Sequence, residues 1–214
     1  MTALTEIRSI SAARWLRLFF GLYVFGAGIA LMHGANLGLG PWDVLSDGIS
    51  KISGLQLGTV TILVGAAVLS LWLVIRERPG VGTVANILLI GTAVNLTEKF
   101  LPHFELVPVR FVQLLLGVAA VGLGSALYLG AKLGPGPRDG LMLGLHQRTG
   151  LSIRVARTSI ELVVLVFGIL LGGTAGIGTV IFAFGIGPTV QFMMRLLKTA
   201  PQPASSSVEA PVLP

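Results

Sequence analysis

Six long runs of Leu, Val, Ile, Ala and Gly, near residues 15–34, 57–75, 81–98, 109–130, 154–172 and 177–197, alternate with short polar or Gly/Pro-rich stretches. A bilayer hydrocarbon core of about 30 Å takes roughly 20 apolar residues of helix, so each run has the length of a transmembrane span. The breaks carry turn chemistry: Arg76-Glu77-Arg78-Pro79-Gly80, Leu101-Pro102-His103 through Pro108, and Gly172-Gly173. Two shorter segments, 41–53 and 137–149, open on Pro and are closed by Gly54 and Gly150. Proline suits the first helical position, where its missing N–H costs nothing, and glycine suits the C-terminal stop, so each segment predicts a short helix. A dozen residues rise only about 18 Å, too little to span, so these helices are re-entrant or interfacial. In the first, Trp42, Leu45, Ile49 and Ile52 form one stripe and Asp43, Ser46, Asp47 and Ser50 another, which favours an interfacial amphipathic helix. The second, with Leu141, Met142, Leu143 and Leu145 apolar nearly all round, reads as a helix buried among protein or dipping inward.

The chain repeats itself. Gly38-Leu39-Gly40-Pro41-Trp42-Asp43 recurs as Gly134-Pro135-Gly136-Pro137-Arg138-Asp139, an offset of 96, with 14 identities over the 33 positions 28–60. The match extends to Gly80 with Gly176, Gly82-Thr83-Val84 with Gly178-Thr179-Val180, and Gly91 with Gly187. Duplication of a three-helix unit accounts for this, and because three is odd, the second copy must enter the membrane upside down if all six segments span. The expected fold is therefore an all-α membrane protein of six transmembrane helices in two inverted three-helix repeats, each with a short re-entrant or interfacial helix. Its parts are a cytoplasmic N-terminal segment (1–14), the first repeat (15–101), the second, inverted repeat (108–198) and a disordered Pro/Ser-rich tail (199–214).

Charge supports that arrangement. With the N-terminus inside, the cytoplasmic face collects 12 of the 15 Lys and Arg, leaving Lys51, Lys99 and Arg110 outside. Both termini are then cytoplasmic, with the 35–56 segment outside and the 131–153 segment inside. The run after Arg8, Arg14 and Arg17 lacks a clean cleavage site and is long enough to be kept as the first span. Hydrophobic residues make up 53% and charged ones 11%, which is the balance of a lipid-embedded chain. A net charge of +6 does not point to nucleic acid, because the basic residues sit at the ends of apolar runs rather than on one polar face. With no cysteine and with His33, His103 and His146 scattered, no metal is expected, and no cofactor motif follows a strand. No nucleophile and base constellation points to an enzyme.

The candidate chemistry lies in the repeated motif. Asp43 and Asp139 fall in the first turns of the short helices, where a carboxylate meets free N–H groups and the positive end of the helix dipole, an interaction worth about 0.3–1 kcal/mol. Helix-start duty is one reading of both. The other is a solute or ion site, because paired Gly/Pro interruptions in the two halves of an inverted repeat mark transporter binding sites. The candidate set is Asp43, Asp139, Gly40, Pro41, Gly136, Pro137 and Arg138. Glu161, four residues after Arg157, is expected to pair with it as a structural element. Asn95 and Gln191, and Thr83 and Thr179, are equivalent pairs read as hydrogen bonds between helices.

On Gly38 to Asp43, its echo Gly134 to Gly140, and Gly178-Thr179-Val180 with Gly185-Ile186-Gly187-Pro188, residues 15–197 resemble the YczE/YitT-like bacterial membrane proteins. The resemblance implies a multi-pass protein of the bacterial inner membrane and carries no functional residues over. The expected function is a small-solute or ion transporter or permease with its site where the repeats meet; the alternative is an accessory protein supporting a partner enzyme or complex. Expected partners are the lipid bilayer and an unidentified small solute or ion, with no nucleic acid and with a homo-oligomer left open.

Overall fold

The computed structural model describes residues 11–75 and 79–199, and the regular structure among them is helical. The helices are α1 (Ala12–Ala35), α2 (Pro41–Ser53), α3 (Leu57–Ile75), α4 (Val81–Glu98), α5 (Val107–Ala131), α6 (Pro137–Thr149), α7 (Ile153–Leu170) and α8 (Ile177–Leu196). The expected N-terminal segment up to residue 10, the charges of Arg76 and Arg78, and the tail from Ala200 lie outside the described residues. Among the described residues five helices are long and apolar enough to cross a membrane: α1, α3, α4, α5 and α8. α7 has 18 residues, but Arg154, Arg157 and Glu161 set it apart from those five.

Both short helices begin and end as their residues dictate. Gly40 and Gly136 are extended N-caps, Pro41 and Pro137 open the first turn, and Gly54 and Gly150 close the helices in the left-handed region at φ 72° and 71°. The polar stripe of α2, expected at an interface, is instead turned inward. Asp43, Ser46 and Asp47 are buried, whereas Ile52 is exposed. α6, expected to be the buried one, is covered less completely, with Leu143 exposed. The reason is partnership: α2 packs on α7, and its polar groups find partners there and on neighbouring segments, as described below.

The centre of the molecule is the pair α1 and α5, which are equivalent helices in the repeat and run antiparallel. Their crossing is made by glycine. A carbon added at Gly28 would lie 2.7 Å from the Gly117 carbonyl, and one at Gly117 would lie 2.8 Å from the Gly28 carbonyl. Gly21 and Gly124 oppose each other in the same way one heptad further along. Lipid offers no hydrophobic gain for pressing helices together, so close backbone approach and dispersion must hold them. Around this seam Leu18, Leu22, Ile29, Leu114, Val118 and Val121 form the core. α4 packs on α1 as α8 packs on α5, and α2 packs on α7 as α3 packs on α6.

Two arginines tie the ends of the central pair reciprocally. Arg14 donates from Nε to the Ala131 carbonyl at 2.8 Å and from a terminal nitrogen to that of Lys132 at 2.8 Å. Arg110, its equivalent, donates to Ala35 at 2.7 Å and Asn36 at 2.9 Å. Each guanidinium satisfies carbonyls that a helix C-terminus leaves without partners and sits at the negative end of its dipole. The Gly-rich loops that follow are also satisfied across the repeat: Gly178 N–H donates to Leu37, and Gly82 N–H to Leu133, both at 2.8 Å. Gly38 and Gly134 both have φ 121°, a backbone that a side chain would strain.

One pairing breaks the reciprocity. α3 and α4 pack together through Gly58 and Gly91, where Asn95 accepts from the Gly58 N–H at 2.8 Å. The position equivalent to Gly58 in the second copy is Arg154, which cannot approach a helix backbone so closely, and α7 and α8 do not pack in the corresponding way. Gly185 and Gly187 accordingly face open space. The crossing predicts unequal costs for one methyl group. Gly28→Ala should lower stability in detergent by about 1–3 kcal/mol through overpacking, whereas Gly185→Ala should be neutral or stabilising by about 1 kcal/mol, as read from thermal unfolding of the purified variants.

Candidate functional site

Because α7 and α8 stand apart, a cavity of about 300 Å³ forms between the two copies, reaching from the α3/α4 pair to the gap between α7 and α8. Its walls are apolar where Phe25, Ile87, Ile90, Phe182 and Ile186 contribute. Its polar groups come from α3 (Thr61), α4 (Asn86), α5 (Ser125, Tyr128), α6 (Arg138, Asp139), α7 (Arg157, Glu161) and α8 (Gln191).

The two motif aspartates occupy different environments. Asp43 is buried behind the wall, with Arg138 of the other copy 3.2 Å away, and the same guanidinium lies 5.3 Å from the Trp42 ring centroid. Trp42 and Arg138 are equivalent positions, so the duplicated site has diverged into a stacked cation and ring. Burial pushes the Asp43 carboxyl above its ordinary value, and the charge and hydrogen bond of Arg138 pull it back. Asp139 instead faces the open cavity, where Tyr128 donates to it at 2.6 Å. No reverse ion pair exists, because Trp42 stands where the second arginine would have to be. Of the other motif residues, Gly136 and Pro137 line the cavity, while Gly40 packs under the Phe182 ring and Pro41 is buried in α2.

Arg157 and Glu161 pair at 2.8 Å on the cavity wall, the contact expected from their spacing. Asn95 and Thr83 make hydrogen bonds between segments, Asn95 to Gly58 and Thr59 and Thr83 to the Pro135 carbonyl. Thr179 accepts from the Gly176 N–H at its own helix start. Gln191 lines the cavity rather than bridging helices, since the Gly58 it would need is Arg154. The Trp42 indole N–H is buried without an acceptor among the described residues.

A second polar cluster, unforeseen from the sequence, lies at the far end of α2. Asp47 receives Lys51 at 2.9 Å and the Thr174 N–H at 2.7 Å, with His33 Nε2 at 3.4 Å; the other His33 nitrogen is 2.6 Å from Glu98. Only a doubly protonated imidazole can donate to both carboxylates. Burial opposes ionisation of Asp47, but the hydrogen bonds from His33, Lys51 and Thr174 outweigh it and hold the carboxyl well below the usual range. Among the described residues no group of three or more His, Asp or Glu is placed to hold a metal ion.

The sequence profile of a family of unknown function, DUF6198, matches residues 12–195. The chain belongs to this family. It is similar to an uncharacterized protein of Haemophilus influenzae, 41% identical over 184 residues that cover 86% of this chain and 84% of the relative. It is also similar to the uncharacterized membrane protein YczE of Bacillus subtilis, 31% identical over 92% of this chain and 94% of YczE. A third relative, the uncharacterized protein YyaS of the same organism, is 27% identical over 75% of this chain and 82% of its own length. No solved structure matches. With a membrane protein among its relatives and five apolar helices of spanning length, this DUF6198 chain is an integral membrane protein.

Two outcomes follow from the charge pairs. Asp43→Asn leaves Arg138 without its counter-charge and should cost about 3 kcal/mol, partly recovered by adding Arg138→Gln, whereas Asp139→Asn, which still accepts from Tyr128, should cost less than about 1 kcal/mol. Thermal unfolding of the purified variants reads both. Asp47 stabilises the folded chain above the ordinary carboxylate range and loses that contribution as pH falls below about 4. The stability gap between wild type and Asp47→Asn should therefore hold steady from pH 7 to about 5 and shrink in stronger acid.

Proposed function

We propose that this protein is a small-solute or ion transporter, not an enzyme, whose site is the cavity where the two repeats meet. The observation that carries the reading is that Gly136, Pro137, Arg138 and Asp139, the second copy of the repeated motif, line that cavity opposite Trp42 of the first. Ionisable groups inside a membrane protein are costly, and pathways for solutes or protons are where they persist. α8, on the cavity wall, contains Pro188, which deprives Phe184 of its usual hydrogen-bond donor, and it carries Gly185 and Gly187 in open space. A helix weakened there is suited to movement.

The membrane arrangement in this reading has six spans in the bacterial inner membrane, the two copies inserted in opposite directions and both termini cytoplasmic. The reciprocal contacts of α1 with α5 and the distribution of Lys and Arg support it. α7 is the sixth span: its 18 residues rise about 27 Å, and Glu161 is neutralised by Arg157 one turn away. The absence of cysteine from the chain makes a labelling test direct. Single cysteines at Ser50 and Thr149 should react with an impermeant thiol reagent from opposite sides of the membrane, and reaction from one side would overturn the arrangement. A single cysteine at Ser125, inside the cavity, should become reactive from both sides of sealed vesicles as a transporter alternates. Access from one side alone would favour the accessory role.

A further inference from the structure

The charges lining the cavity do not balance. Arg138 is committed to Asp43 at 3.2 Å and to the Trp42 ring, and Arg157 to Glu161 at 2.8 Å. Asp139 is left with a neutral hydroxyl, that of Tyr128, and pairs with no Lys, Arg or His among the described residues. The cavity thus presents one carboxylate without a counter-ion among the described residues, on a wall that also carries the rings of Phe25, Tyr128 and Phe182. Space in front of that carboxylate is kept by the missing side chain of Gly136: a carbon there would lie 3.3 Å from Asp139 Oδ2, 3.2 Å from Asn86 Nδ2 and 3.4 Å from Tyr128 Oη. We infer that the cavity takes an amphipathic organic cation, an ammonium or guanidinium bearing an apolar group, with Asp139 as its counter-ion. The inference rests on the transport reading of the same site and names its ligand class.

Other classes fit the walls poorly. An organic anion would meet the unpaired Asp139 carboxylate, and both arginines on the wall already hold a carboxylate. A bare divalent ion needs about six oxygens converging on one point, and among the described residues no group of three or more His, Asp or Glu is placed to hold one. An organic cation brings its own apolar surface to bury against Phe25, Phe182 and Ile186, and aromatic faces attract positive charge.

The test is isothermal titration of the full chain in lipid nanodiscs with benzyltrimethylammonium, which has a fixed positive charge and an aromatic ring and cannot donate a hydrogen bond. Saturable binding is expected for the cation and not for benzenesulfonate. Asp139→Asn should weaken it at least tenfold, while Asp139→Glu, which keeps the charge, should stay within about fivefold of wild type. Thermal midpoints of all three proteins, measured on the same preparations, separate loss of binding from loss of fold. Binding absent from wild type, or unchanged in a folded Asp139→Asn, overturns the inference. Two-sided access at Ser125 without cation binding would leave transport standing and remove this ligand class; cation binding with one-sided access would do the reverse.

Discussion

Everything in this structure is arranged around the antiparallel contact of α1 and α5, and that contact depends on the absence of side chains at Gly21, Gly28, Gly117 and Gly124. Two backbones that touch must also settle their ends, because a helix C-terminus leaves its last carbonyls without partners. Arg14 and Arg110 do this for each other's helix, and the loops after the helices dock on the starts of α8 and α4 through Gly178 and Gly82. The duplicated unit is therefore complete only when its second copy is present. Each Gly-rich loop finds hydrogen-bond partners in the other copy.

The candidate site lies where the two copies have drifted apart. Gly58 lets α3 close on α4, whereas Arg154 at the equivalent position leaves α7 apart from α8, and the cavity lies between the two copies. Trp42 against Arg138 turns two equivalent side chains into a stacked pair and assigns Arg138 to one aspartate of the two. Met32 against Tyr128 gives the remaining aspartate a hydroxyl. Asp43 is thus ion-paired within the fold and Asp139 has no cationic partner among the described residues, although both copies carry aspartate at that position.

The first copy spends its polar residues differently. Asp47, which has Leu143 as its equivalent, gathers Lys51, Thr174 and His33 and fastens α2 to the loop after α7. Lys51 also donates to the Gly172 carbonyl at 3.0 Å. These bonds explain why the polar face of α2 points inward: carboxylate and ammonium are matched within the protein, and the apolar Ile52 is the residue turned outward. Amphipathicity alone gives the existence of two faces and not which of them meets the protein.

What the sequence determined by itself is local. Apolar runs set the helices, Pro41 and Pro137 start the short ones, Gly54 and Gly150 end them, and four-residue spacing brings Arg157 to Glu161, because each depends on neighbours within a turn or two. The repeat was legible for the same reason, as identity at a fixed offset. The tertiary structure decided the rest: that Arg14 and Arg110 cap opposite helices, that His33 meets Asp47 and Glu98, and that Arg138 reaches across to Asp43. Such contacts join residues as far apart as 118 positions, and no periodicity encodes them. Two identical motifs become a sealed aspartate and an open one only when the copies are packed, because burial and counter-charge belong to the space around a residue and not to its place in the chain.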